Sequence, residues 1–416
     1  MLKNHVYLLC LISFFSLIQH IDMKYYHNIY HTTEEIFSRL DSLADSTCNN
    51  ILQKKTFSVG SNEMKYYFLS SPSKTNKQNV YILFGEHSRE LISPELALFF
   101  METLCGEGYL YDKNTVVKIL EQNNFLIFPI VNVPGKLEVE KGNFCKRTNE
   151  NGVDLNRNWD SHFNNQNDDP DQNSGKHPFS EWQTQVLRKV LIDFKPKVFI
   201  SIHSGALGLY TPPAYKIVDM KTMNDEKFKH IKNLIKILNI LNDKYCNCKA
   251  GPAANELWYV CPGNCLDYAY EKVTIPYSFA FEIFTNQEKN KYFNDIINSE
   301  NPTIFNYEKF IKDFESNQIA SLFIQKSSSK LRSNFLQIDS LAEEKIKNHS
   351  HSHENSEFSC FAQTSTKYPR TKEFCMNQFN PLTQRHKDNT VINWTNVIFE
   401  LTSLTYQLDK KLTHKN

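Results

Sequence analysis

The residues most able to do chemistry in this 416-residue chain stand where apolar runs stop. The run NVYILFG, 79–85, ends abruptly at Glu86-His87-Ser88-Arg89-Glu90. His87 and Glu90 are three apart, so one strand-end loop offers an imidazole nitrogen and a carboxylate oxygen to a single divalent cation. A catalytic zinc takes three such ligands and keeps its fourth position open. The third is available in SIHSG, 201–205, where His203 closes another apolar run. Either histidine alone reads as a polar strand end; together on one sheet edge, with Glu90, they read as a ligand set. Hydrolysis at a metal also needs a carboxylate to move the proton of the attacking water. Glu282 is the candidate, because it sits inside the apolar run YSFAFEIF, 277–284, where an ionised carboxylate is costly unless paired or used. Its plain alternative is an edge-strand position facing water.

A cationic grip is offered by NGVDLNRNWD, 151–160. Asn156 and Arg157 are adjacent there, and a guanidinium binds a carboxylate through two parallel hydrogen bonds. The plain alternative is a polar turn closed by Trp159.

These groups need a scaffold that brings distant strand ends together. Runs 79–84, 124–133, 197–202 and 277–284 read as buried strands. Thr32-Thr-Glu-Glu35 reads as a capping box opening a helix, Ser93-Pro94-Glu95 as a helix start with Ser93 as cap, 180–194 as a long helix and 375–404 as a closing helix. Strands alternating with helices imply an α/β fold, a single domain with a central mixed, mostly parallel sheet flanked by helices. Ligands of such sheets sit beyond the carboxyl ends of the strands, where His87 and His203 fall.

Lys+Arg 47 against Asp+Glu 46 gives no hint of nucleic acid or of an anionic membrane surface as partner. Residues 1–20 read as a secretory signal peptide: one lysine precedes an apolar run at 6–18, too short to span a bilayer comfortably. The catalytic domain is then 24–410, with a low-complexity insertion at about 316–373. Secretion makes disulfides expected, and a local pairing between the clusters Cys246/Cys248 and Cys261/Cys265 is the reading adopted here. Nine cysteines outside the signal leave at least one unpaired within the chain. Asn348 and Asn393 stand in glycosylation sequons.

His87-Ser-Arg-Glu90, Asn156-Arg157-Asn-Trp159, His203-Ser-Gly and Phe279-Ala-Phe-Glu282 occur in an order and spacing that resemble the zinc metallocarboxypeptidases, the carboxypeptidase A-like peptidases, over about residues 24–310 and the closing helix. The resemblance implies one zinc ion held by His87, Glu90 and His203, with Glu282 as general base. It implies that Asn156 and Arg157 grip the terminal carboxylate of a peptide or protein substrate, that Tyr259 closes over it, and that Arg89 is an accessory arginine beside the metal. The oxyanion-stabilising arginine falls at Lys146 or Arg147, and Arg147 is preferred because a permanently charged bidentate donor suits a developing oxyanion. Leu266, just before Asp267, corresponds to the floor of the side-chain pocket and implies apolar C-terminal residues. Phe284 stands where the digestive members carry an arginine, and the short stretch before YYHNIYHTTEEI leaves no room for their prosegment, implying a branch not activated by cleavage. The expected protein is a secreted monomer without membrane or nucleic-acid partners. The rival readings are a zinc amidohydrolase of the acylase type, a peptidase trimming glutamates or wall peptides, and an inactive binding protein.

Overall fold

The computed structural model describes residues 29–413 apart from 73–75, 109, 167–168, 220–225, 287–289 and 317–370. The expected signal peptide, nearly all of the expected insertion, Asn348 and Cys360 therefore lie outside the described residues.

The chain opens with helix α1 (Thr33–Asp45), whose capping box forms as expected: the Thr32 hydroxyl accepts from Glu35 N, and the Glu35 carboxylate accepts from Thr32 N at 2.7 Å. A hairpin follows, β1 (Leu52–Val59) and β2 (Asn62–Leu69), then β3 (Gln78–Phe84), α2 (Ile92–Leu104), α3 (Lys113–Gln122), β4 (Asn123–Phe128) and α4 (Val133–Glu140). After a long loop come α5 (Trp182–Phe194), β5 (Val198–His203), β6 (Leu207–Thr211), α6 (Glu226–Tyr245), β7 (Lys249–Pro252) and β8 (Tyr277–Ile283). Helices α7 (Lys291–Asn298), α8 (Tyr307–Glu315), α9 (Lys372–Phe379) and α10 (Gln384–Thr413) close the described chain.

One eight-stranded sheet takes the order β1-β2-β4-β3-β5-β8-β6-β7. Its centre, β4-β3-β5-β8, is parallel, β6 and β7 are parallel to each other, and the other pairings are antiparallel. The central strands are mostly apolar because both faces are covered. Val198, Ile200 and Ile202 of β5 and Phe279, Phe281 and Ile283 of β8 enter the larger core, which also holds Trp394 and Phe399 of α10. Phe199 turns to the other face, against Trp159 and against Leu187 of α5. Alternation therefore puts Ser201, His203, Ala280 and Glu282 on that second face, at the carboxyl ends of their strands.

Several local expectations are corrected. Ser93 is not the cap of α2: the helix starts earlier, with Leu91 at its N-cap and no side-chain cap bond. The Ser93 hydroxyl instead accepts from Gly85 N at 3.0 Å and donates to Ile202 O at 2.8 Å, satisfying backbone groups that the sheet leaves open where β3 and β5 end. The 124–133 run stops as a strand at Phe128, before Pro129, and Asn132 caps α4 by accepting from Gly135 N. The 375–404 segment is two helices broken at Asn380-Pro381. Cys246 pairs with Cys248, Cys48 with Cys105 and Cys145 with Cys375, whereas Cys261 and Cys265 are buried thiols. The two clusters do not pair as expected: Cys246 enters the main core, whereas Cys261 and Cys265 belong to the separate clusters beside the 156–161 loop, to which Gly263 is hydrogen-bonded. Asn393 lies in α10, 5% exposed, with its amide donating to Tyr245 O at 2.9 Å, so the sequon has no free amide to carry a glycan. No described helix is long and apolar enough to cross a membrane.

Candidate metal centre and its surroundings

Register alone brings two of the expected residues side by side: β5 and β8 run parallel with His203 opposite Glu282. Strand β8 lies between β5 and β6, so Glu282 does not occupy the water-facing edge position. It is buried, its Oε2 accepts from Ala206 N at 3.2 Å, and its Oε1 has no hydrogen-bond partner.

The end of β3 supplies the rest of the cluster. Gly85 takes φ +66°, and a Cβ there would stand 3.3 Å from Ile130 Cα, so only glycine turns the chain this tightly against the neighbouring loop. The turn presents His87 and Glu90. His87 Nδ1 lies 2.7 Å from Glu90 Oε1, His203 Nδ1 lies 3.3 Å from Glu90 Oε2, and the two Nδ1 atoms are 3.1 Å apart. All three residues are buried, and one donor atom from each falls within 4.8 Å of the others.

This donor set fits a zinc ion. The outer nitrogen of each histidine is held by an acceptor: His87 Nε2 faces Asp154 Oδ1 at 3.1 Å, and His203 Nε2 faces Ser201 Oγ at 2.6 Å and Glu86 Oε2 at 3.3 Å. Ser201 gives its own proton to Glu86, which leaves its oxygen able to accept. Such partners place the ring proton on Nε2 and leave each Nδ1 lone pair for a metal. Charge points the same way. Glu86, Glu90, Asp154 and Glu282 are buried here with Arg147 and Arg157, and a dication among them would favour the ionised carboxylates and the neutral imidazoles.

Burial opposes ionisation of Glu90, yet the two histidines overcome it and hold its carboxyl well below the ordinary range. Burial likewise opposes ionisation of Asp154, and Arg147 foremost outweighs it. For Glu282, burial first and the Glu90 charge second push the carboxyl up to about 8. His203, despite burial, is raised by Cys265 and by the two glutamates beside it.

Asp154 organises the adjoining loop. Its Oδ2 accepts from Arg147 Nε at 2.9 Å and forms an ion pair with Nη2 at 2.9 Å, and its Oδ1 accepts from Asn156 N at 2.9 Å. Arg147 Nη1 in turn lies 3.2 Å from His87 Nδ1 and 3.6 Å from Glu90 Oε1. Arg147, rather than Lys146, is thus the residue of its pair against the cluster; both line an adjoining cavity of about 590 Å³ with Asp169 and Asp171. Replacing Asp154 with Asn removes the carboxylate shared by His87 and Arg147. We expect zinc affinity to fall about 10–100-fold, read by competition with a chromophoric chelator; an affinity within twofold of the parent contradicts this role.

Asn156 Oδ1 accepts from Cys265 N at 2.9 Å, and its Nδ2 lies 3.3 Å from His203 Nε2. Arg157 donates through Nη1 to Asn156 O at 2.7 Å and through Nη2 to the Cys261 sulfur at 3.4 Å. The loop beneath docks closely: Gly263 N donates to Ser161 O, and Trp159 N to Gly263 O. A Cβ on Gly263 would stand 2.1 Å from Arg157 O, so the approach requires glycine. From this loop Tyr259, half-buried, and Leu266, buried, join a small cluster with Tyr210, Ala214 and Cys261. Arg89 is buried, donates to Asp171 at 2.9 Å and to Cys145 O at 3.2 Å, and stacks on Phe379 at 4.3 Å, tying the start of the site to α9.

Sequence reasoning missed Asp154, Glu86 and Ser201, which partner the ligand histidines. Asp154 and Glu86 stand inside stretches singled out for their neighbours, but nothing in a sequence tells which carboxylate supports a ligand and which is one.

Residues 40–303 match the family described as zinc carboxypeptidase. Carboxypeptidase O of Homo sapiens is 26% identical over 275 residues, covering 62% of this chain and 71% of its own length. Carboxypeptidase A2 of Mus musculus is 28% identical over 273 residues, covering 61% of this chain and 62% of its own length, less than two thirds. Bovine thrombin-activatable fibrinolysis inhibitor, solved in complex with tick carboxypeptidase inhibitor, superposes with a TM-score of 0.53 at 26% identity, covering 64% of this chain and 89% of that one.

Proposed function

The chain belongs to the zinc carboxypeptidase family, and we propose that it hydrolyses the last peptide bond of peptides or proteins. The observation that carries this reading is the convergence of His87, Glu90 and His203, donor atoms within 4.8 Å, on the face where Glu282 stands in register with His203. Zinc held there supplies a Lewis acid and an acidified water.

The chain's own residues divide the remaining work. Glu282, with Oε1 buried and without a partner, takes a proton from the attacking water and returns it to the departing amine. Arg147, fixed by Asp154, donates to the oxyanion as it develops. Arg157 and Asn156 hold the substrate's free carboxylate, and Tyr259 closes over it. Arg89 steadies the ligand loop through Asp171 and Phe379. Leu266 packs among apolar residues, which supports a lean towards apolar C-terminal residues. The grouping of Asn156, Arg157 and Tyr259 around one loop supports a chain end as substrate over a small N-acyl amino acid. The complete ligand and base set supports an enzyme over an inactive binding protein.

We read 24–410 as one catalytic domain; the Cys145–Cys375 disulfide and the packing of α10 in the main core support this. The disulfides and the apolar N-terminal run support a secreted protein. The test is mature protein incubated with a peptide library varied at its last residue, with and without a chelator, and read by mass spectrometry. Single residues should be released from C-termini, and the chelator should stop it. Release of acyl groups from N-acyl amino acids without any C-terminal trimming overturns the reading.

A further inference from the structure

The small cluster next to Glu282 contains a group that the proposed mechanism leaves unused. Tyr210 of β6 is 1% exposed, and its hydroxyl has no hydrogen-bond partner. A buried hydroxyl without a partner forfeits the bonds it made in water, so its position beside the reacting groups calls for an explanation. Ala214, Cys261 and Leu266 pack with it, with Ala206, Tyr259 and Ala280 alongside, and the nearest charges acting on it are those of Glu282 and Glu256.

Register fixes where the hydroxyl stands. Strands β6 and β8 pair Tyr210 with Ala280 and Gly208 with Glu282. Leu209 and Phe281, the alternate residues, enter the main core, so Tyr210, Gly208, Ala280 and Glu282 share the opposite face. The Tyr210 ring leans back over Gly208: a Cβ built on that glycine would meet the hydroxyl at 2.3 Å. The phenol oxygen thus lies above the residue paired with Glu282, in a space that the missing side chain at 208 leaves clear. On the other side of the cluster, Cys261 touches Arg157.

With the chain-end carboxylate on Arg157 and the scissile bond at Glu282, the side chain borne between them must enter this cluster. We propose that Tyr210 is a specificity-determining residue whose hydroxyl pairs with a polar atom of the substrate's last side chain, so that the enzyme prefers uncharged C-terminal residues carrying such an atom, asparagine or glutamine, over apolar residues of similar size. This rests on the carboxypeptidase reading and revises its lean towards apolar last residues: Leu266 and its neighbours contact the aliphatic part of the side chain, and the Tyr210 hydroxyl discriminates among residues of similar size. A site built to hydrogen-bond its substrate rejects analogues lacking the group because its own polar atom is then left buried and unpaired.

The experiment compares the zinc-loaded parent with Tyr210→Phe on peptides identical except for a final Gln or Leu. The ratio of kcat/KM, Gln over Leu, should exceed one in the parent and fall at least about tenfold in Tyr210→Phe, the worth of one hydrogen bond to a buried group. The same split should appear as a change in the Kd ratio when both peptides bind the zinc-loaded Glu282→Gln protein with and without Tyr210→Phe, a readout independent of turnover. A ratio that Tyr210→Phe leaves unchanged, including the case in which both peptides lose alike, overturns the proposal while the carboxypeptidase reading stands. Absence of trimming on any peptide together with absence of binding overturns both.

Discussion

Replacing Glu282 with glutamine should lower kcat by about 10²–10⁴-fold, the usual contribution of a positioned general base, while the zinc content stays at one per chain. Glutamine keeps the shape of the side chain and can still accept from Ala206 N, so the sheet register that holds His203 beside position 282 is undisturbed. What is lost is the ability to take a proton. The pH dependence separates this from structural damage. A base works only when deprotonated, so kcat/KM rises with pH through its pKa. Without metal, burial first and Glu90 second push Glu282 up to about 8. A bound dication favours the charged carboxylate, so the acid limb of the zinc-loaded enzyme should lie below 8 and be absent from the residual activity of Glu282→Gln. An unchanged acid limb in the variant removes Glu282 from the role of base.

Replacing His203 with alanine should abolish both zinc binding at ordinary concentrations and peptide trimming. It deletes one of three ligands and strips Glu86 and Glu90 of a shared partner. Loss of a supporting outer partner typically costs 10–100-fold in metal affinity, and loss of a ligand should cost more than about 10²-fold. The parent should gain thermal stability on adding zinc, because an ion that binds only the folded state shifts the equilibrium toward it. The variant should gain little. A variant that still holds one zinc per chain and trims peptides removes His203 from the ligand set.

Much of this architecture was legible because two periodicities agree with it. The runs that became β3, β5 and β8 are apolar at most positions, as strands covered on both faces are, and polar residues stand at or near their carboxyl ends. His87, Glu90 and His203 were therefore visible as strand-end donors, and Glu282 as a carboxylate out of place in an apolar strand. The hairpin β1–β2 and strands β6 and β7 were not legible. Their exposed or glycine-containing sequences carry no distinctive alternation, and their pairing is fixed by neighbours far along the chain. Ser93 illustrates the same limit: the local pattern reads as a cap, but two buried backbone groups at the ends of β3 and β5 claim its hydroxyl. The supporting roles of Asp154, Glu86 and Ser201 depend on angles between side chains from separate elements, which spacing does not encode. Cys261 and Cys265 were misassigned because short spacing suggested a local staple, whereas the loop they occupy is packed against Arg157 and Asn156.

The measurement that bears most directly on the metal centre is anomalous diffraction from crystals of the zinc-loaded protein, recorded on both sides of the zinc absorption edge. One peak is expected, at about 2.0–2.2 Å from Nδ1 of His87, Nδ1 of His203 and a carboxylate oxygen of Glu90, the distances zinc keeps to such ligands, with Glu282 facing it across a water. Zinc bound elsewhere on the chain, or crystals active on peptides with no peak among these three side chains, contradicts the account.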